Sequence, residues 1–315
     1  MTADAMPAVA HEDPEMLALM ATPVAGQAAT LETWGWPGVG LLHLLSSCHG
    51  GCFFCSNRTL VEMPAELVTT GTTVEARLAG LETLGLDLLC IGGTEPTTHP
   101  RFEEVLARCA AAGIATEIMT SGLSLAVPGE AARWRDLGVA RVAVPLYGPV
   151  PGLHDAIVER PGQHARVVAG LDHARAAGID VAVHTLALRR TLGGLAPLAR
   201  QVHARWGSTL AVAPLRRKDD LFRYEDEAPS WRELASAVGD APVELVGFPA
   251  CAATGLARGG AAVIALYFRT QRLVHAAPCV GCDARHRCRG VVPAHLEAYG
   301  EGELTPWSAG SESPP

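Results

Sequence analysis

The sequence predicts an α/β fold: a six-stranded partial parallel β/α barrel with a small cysteine-rich C-terminal extension. Three observations carry that expectation. Apolar, β-prone runs alternate with segments of helical periodicity, the pattern of a parallel sheet with crossover helices. Six such units fit between Val39 and Pro214, whereas a closed eightfold barrel takes about 250 residues. Beyond residue 219 the alternation stops, and four of the chain's nine cysteines crowd into what remains.

In chain order, residues 1–38 mix acidic, proline and alanine positions and read as an arm or cap, too short for an added peptide-binding module. Strands are expected at 39–46, 86–91, 115–120, 139–146, 179–188 and 209–213, each rich in Val, Ile, Leu or Ala. Helices are expected at 74–84, 102–112, 163–177 and 195–206, where apolar residues recur every three or four positions. The barrel therefore spans 39–218. Residues 219–307 form the extension, starting with a helix near 231–238, and 308–315 lack core-forming residues and are expected to be disordered.

Composition narrows the function. With 49% hydrophobic and 18% charged residues the chain has the make-up of a soluble globular protein. A formal charge of -8 argues against a sequence-independent grip on nucleic acid. Met1-Thr2-Ala3-Asp4-Ala5-Met6 lacks the basic start and apolar run of a signal peptide, and no stretch reaches membrane-spanning length, so a cytoplasmic location is expected. In that reducing compartment nine cysteines point to metal or catalysis rather than disulfides.

The chemistry-bearing residues fall just past the C-terminal ends of the strands, where parallel α/β folds place their active sites. After the first strand comes Ser47-Cys48-His49-Gly50-Gly51-Cys52-Phe53-Phe54-Cys55, three thiols in eight positions beside two glycines. Three thiolates can hold three irons of a cubane 4Fe-4S cluster, and with no fourth local cysteine one iron stays open to a ligand. Two other readings stand on these residues alone. The cysteines share one face of a helix and could be core, though paired mid-helix glycines would cost about 2 kcal/mol. Alternatively, His49 could complete a zinc site.

Ile91-Gly92-Gly93-Thr94-Glu95-Pro96 follows the second strand, Thr120-Ser121-Gly122 the third, and Tyr147-Gly148-Pro149 the fourth. Together with the cysteine spacing these stretches resemble the radical S-adenosylmethionine (radical SAM) superfamily. The resemblance implies the same open barrel, with the cofactor's amino and carboxylate groups on the open iron of a cluster held by Cys48, Cys52 and Cys55. It further implies Gly92, Gly93 and Glu95 around the methionine amino group, Phe54 against the adenine, and Ser121 near the ribose or carboxylate. Thr94, standing between the glycines and Glu95, departs from the superfamily's glycine-glycine-glutamate-proline pattern and shifts the register there. On the residues alone, the glycine segment is also an ordinary strand-to-turn boundary, Phe54 core and Ser121 a turn residue. His99-Pro100, Leu153-His154-Asp155 and Arg160-Pro161-Gly162 read as turn-shaping and helix-capping stretches, and Arg216-Arg217-Lys218, followed at once by Asp219-Asp220, as a solvated loop. Cys90, inside a strand, and Cys109, inside a helix, read as small buried hydrophobes.

In the extension Cys251, Cys279, Cys282 and Cys288 can fold around one centre and staple distant parts of the chain. Zinc and a second 4Fe-4S cluster both accept four thiolates, and His275 and His286 offer substitute ligands. These cysteines resemble the auxiliary-cluster extensions of radical SAM enzymes, the shortened "twitch" form of SPASM, which implies a second, fully ligated 4Fe-4S cluster.

The resemblance implies an enzyme that reductively cleaves S-adenosylmethionine to a 5'-deoxyadenosyl radical, which abstracts a hydrogen atom from substrate. An electron donor such as flavodoxin or ferredoxin is implied with it. Peptide modification by crosslinking, epimerisation or oxidation is the expected use, with a precursor peptide and a separate peptide-delivery protein as partners. A small-molecule metabolite is the alternative substrate. A non-enzymatic iron-sulfur or zinc protein for electron transfer or interaction is the alternative from another class.

Overall fold

A computed structural model describes residues 39–44, 46–55, 74, 78, 85–215, 222–249, 251–252, 257–258, 273–286, 288 and 290–308. The arm at 1–38, the basic run at 216–218 and the tail from 309 lie outside them, as does the expected helix at 74–84 apart from Val74 and Leu78.

The described strands form one sheet whose spatial order is the chain order, and every neighbouring pair is parallel. β1 (Val39–Leu44), β2 (Leu88–Gly93), β3 (Ala115–Met119), β4 (Val139–Pro145), β5 (Asp180–Ala187) and β6 (Leu210–Pro214) are the six expected strands. The sheet then continues through β7 (Val243–Leu245) and β8 (Ala257–Arg258), drawn from the stretch read as extension. Runs of three and two residues are too short to show a strand period, which is why the alternation fades from the sequence while the sheet persists.

Helices α1 (Phe102–Ala111), α2 (Glu130–Asp136), α4 (Gln163–Ala176) and α5 (Leu192–Trp206) cover the outer face, whereas α3 (Pro151–Val158) packs Ile157 and Val158 with Phe53 and Tyr147 at the mouth. α1 shows why they form, burying Phe102, Val105, Leu106 and Cys109 at helical spacing with Glu103 and Glu104 in its first turn. α5 stops at Gly207, whose φ of +69° supplies the left-handed cap. Leu42, Leu89, Ile91, Ile118, Val142, Val144, Val183 and Val212 point outward into the core they share with these helices. Past β6 come α6 (Tyr224–Glu227), α7 (Trp231–Val238), which starts with a Ser230/Glu233 capping box, and α8 (Pro293–Tyr299).

The alternate residues face the concave side. Leu41, Cys90, Ala143, Ala211, Ala213 and Val246 form a separate small cluster there. One rung crosses the inner face as Leu41, Cys90, Glu117, Arg141 and Asp180, with fully buried Glu117 paired to Arg141 at 3.5 Å. Nearer the C-terminal mouth Ala143, Ala182, Ala211 and Ala213 share the inner face with Met119, His184 and Leu186, and Ala143, Ala211 and Ala213 are buried there.

Candidate functional site

The first cysteine loop leaves β1 at the mouth of the sheet. Cys48, Cys52 and Cys55 are half-buried, and His49 between them is exposed. A Cβ placed on Gly50 would lie 3.6 Å from both Cys48 Sγ and Cys52 Sγ, so these sulfurs flank a single backbone position. Burial pushes the Cys52 thiol up to about 12, and neighbouring Cys55 and Cys48 push it further in the same direction. Burial likewise raises Cys48 to about 11, opposed by a hydrogen bond from Gly50 N at 3.4 Å and reinforced by Glu95 and Cys55. Cys52 feels the charge of both neighbours and Cys48 that of Cys55, so as thiolates they repel one another until a cation joins them. That donor set fits a multi-iron group. Among the described residues no three His, Cys, Asp or Glu side chains close on a single ion, and His49 is exposed.

Neighbouring loops hold this one in place. The Thr94 hydroxyl accepts the Ser46 N–H at 2.9 Å and donates to the Ser46 carbonyl, and the Thr98 hydroxyl donates to Ser47 O at 2.7 Å. The residue that interrupts the glycine-glutamate pattern therefore anchors the chain immediately ahead of Cys48. Gly93 is required on other grounds: at φ +134° its Cβ would stand 2.3 Å from Leu44 O. Gly92 has ordinary space, 3.8 Å from Met119 Cβ. Glu95 is buried and accepts from the Thr97 hydroxyl at 2.8 Å, the Thr120 hydroxyl at 2.7 Å and Ser121 N at 2.7 Å. Its carboxylate joins the loops after β2 and β3, which brings Gly92, Gly93, Glu95 and Ser121 to one place beside the cysteine loop.

Phe54 packs edge-on against Tyr147, with ring centroids 5.6 Å apart, and Tyr147 stacks on buried His154. His154 Nδ1 accepts the Tyr147 N–H at 3.2 Å, and burial lowers this histidine to about 4. Asp155 accepts from Gly162 N and His164 N, capping the start of α4. Cys90 and Cys109 are fully buried.

Sequence reasoning missed His184 and Glu244. Register places His184 opposite Pro145 and Ala211, and Ala211 opposite Glu244, all facing the lumen. Counting on from Met119 and Ala143, Ser121 stands level with His184, two strands and about 10 Å away. His184 Nδ1 is buried without a partner among the described residues, and burial lowers its pKa to about 4. Strand alternation was the only available signal, and it carries no chemistry by itself.

The C-terminal thiols also come together. Cys251, Cys279, Cys282 and Cys288 line one pocket with His275, Arg285, Thr305 and Trp307. Backbone donors reach three of them: Gly290 N to Cys288 Sγ and Trp307 N to Cys282 Sγ, each at 3.4 Å, and the Thr305 N–H to Cys251. His275 Nε2 is engaged with Cys288 O at 2.9 Å, and His286 is exposed. The four thiols share one pocket with backbone donors turned toward three of the sulfurs, and as at the first loop no three of them close on a single ion.

Residues 43–192 match the Radical SAM superfamily. The chain is 26% identical over 182 residues to an AdoMet-dependent heme synthase of Methanosarcina barkeri, covering 56% of this chain and 51% of that protein. It is 28% identical over 173 residues to a PqqA peptide cyclase of Ruegeria pomeroyi, covering 55% of this chain and 46% of that protein. The chain thus spans about half the length of the curated relatives it matches. In fold it is similar to Streptococcus suis SuiB bound to precursor peptide SuiA, with a TM-score of 0.53 at 14% identity over 86% of this chain and 57% of that one.

Proposed function

We propose that the chain is a radical SAM enzyme, a 4Fe-4S, S-adenosylmethionine-dependent oxidoreductase acting on a C–H bond of its substrate, a reading supported by the match of residues 43–192 to that superfamily. The observation that carries this is the set of three half-buried thiols at Cys48, Cys52 and Cys55 on one loop, two of them flanking Gly50. These residues would hold the cluster; Phe54, Gly92, Gly93, Glu95 and Ser121 would surround the cofactor. Bound there, cluster and cofactor supply reductive cleavage to methionine and a 5'-deoxyadenosyl radical, a hydrogen-atom abstractor. The chain's own part is placement: Glu95 fixes the two loops that meet the cofactor.

Cys251, Cys279, Cys282 and Cys288 are assigned a second 4Fe-4S cluster in a twitch-like extension, with zinc as the competing occupant. Four protein ligands leave it no open iron, which suits electron relay. Peptide modification is the favoured use, supported by likeness to a PqqA peptide cyclase, with a precursor peptide, a delivery protein and a flavodoxin- or ferredoxin-type donor as partners. Likeness to a heme synthase supports the second reading, a small-molecule substrate.

The test is anaerobic reconstitution with iron and sulfide, followed by dithionite and S-adenosylmethionine and an assay for 5'-deoxyadenosine. Its formation supports the reading, and a loaded protein that forms none sinks it. Co-purification with a small peptide separates the two substrate classes.

A further inference from the structure

The turn between α3 and α4, residues 159–162, has no part in the reading above, yet it holds the first cysteine loop from behind. The last carbonyls of α3, which no helical N–H can reach, are taken by the loop: Gly51 N donates to Val158 O at 3.0 Å and Phe53 N to Ile157 O at 3.2 Å. Glu159 then turns the chain at φ +51°, the one positive φ outside glycine among the described residues. That turn brings two side chains onto one acceptor. Arg160 Nε donates to His49 O at 3.3 Å and Gln163 Nε2 to the same oxygen at 3.4 Å.

The His49 carbonyl belongs to the peptide unit whose N–H is that of Gly50, and Gly50 N donates to Cys48 Sγ. In a planar trans peptide the two ends point opposite ways, so fixing the oxygen aims the N–H. Donors on the oxygen also polarise the unit and strengthen the bond at its other end.

We propose that Arg160, seconded by Gln163, is a positioning residue that sets the reduction potential of the first cluster through the His49–Gly50 peptide. The proposal rests on the reading that Cys48, Cys52 and Cys55 hold that cluster. An N–H···S bond stabilises the more negative, reduced state, as does a nearby cation, so Arg160 makes the cluster easier to reduce by both routes.

The test is potentiometric titration of the reconstituted protein followed by electron paramagnetic resonance. Arg160→Met is expected to lower the equilibrium constant for one-electron reduction about threefold, about 30 mV, and to change the reduced spectrum. Arg160→Lys should restore most of the shift. Gln163→Leu, which leaves the cation in place, should move the potential the same way by less. A wild-type potential in loaded Arg160→Met overturns the proposal, and if that variant takes up no cluster, a wild-type potential in Gln163→Leu does so. Wild-type protein that binds no iron, or binds it equally with Cys48→Ala, defeats the cluster reading instead.

Discussion

The two thiol sites solve the same problem with opposite surroundings. At the first, three sulfurs sit at the open end of a parallel sheet beside buried Glu95, and backbone N–H groups reach Cys48 and Cys52. At the second, four sulfurs line a pocket in irregular chain, and backbone N–H groups reach three of them. Yet each depends on a glycine pressed against neighbouring backbone. Gly93 and Gly290 have φ of +134° and +100°, and a Cβ on either would stand 2.3 Å from a carbonyl oxygen, of Leu44 and Val274 respectively. The difference teaches that ligand number and setting, rather than cysteine content, would decide whether a cluster bound at either site keeps an open iron.

The sharpest way to break this comparison is to remove ligands from one site at a time. Alanine at Cys48, Cys52 or Cys55 should cut 5'-deoxyadenosine formation by at least about 100-fold. Alanine at Cys279 and Cys282 together should lower iron content while sparing that reaction in the absence of substrate, as iron analysis and product chromatography would show. Equal losses from both sets would mean the sites do not divide the work.

The two glycines offer a finer cut. Gly93→Ala and Gly290→Ala should each cost on the order of 3 kcal/mol, because an L side chain at that φ meets backbone that cannot yield. Iron analysis with thermal melting should find the first site emptied by Gly93→Ala and the second by Gly290→Ala.

Acid should bear on the first site through His154. Its folded pKa, about 4, lies below the 6.5 of a free imidazole because burial disfavours the charged form. The unfolded chain therefore takes up the proton first, so stability is complete above about pH 6.5 and is lost as the pH falls toward 4. On the order of 3 kcal/mol is at stake. Melting temperatures of the iron-free protein across that window should fall, and His154→Gln should flatten the slope.

The smallest effect is expected where the first loop meets the C-terminal region. The Arg190 guanidinium lies 4.2 Å from the Phe53 ring centroid and donates to both Glu227 carboxylate oxygens through Nε and Nη2. With 45% of the Arg190 side chain exposed, Arg190→Ala should cost about 1 kcal/mol or less in a denaturant titration. A larger loss would mean the two sites are more tightly joined than these contacts imply.

What the sequence made legible follows from the range of the interactions. Six strands were readable because burial on both faces writes apolar runs into contiguous residues; β7 and β8 were too short to leave such a mark. The thiols were readable because metal chemistry narrows residue choice. Thr94, Thr98, Arg160 and Gln163 were not, because each acts on main chain between 48 and 114 residues away, and main-chain acceptors have no sequence. Glu95 was expected to face the cofactor, but its ties to Thr97, Thr120 and Ser121 show it binding the loops to each other first.

The alanines at 143, 182, 211 and 213 carry a thermodynamic corollary. Ala143, Ala211 and Ala213 are already buried, so leucine there would crowd the inner face at a cost of about 1–3 kcal/mol apiece. Any compound held by the folded chain raises its melting temperature by mass action, and the natural occupant should announce itself as the one that raises it most.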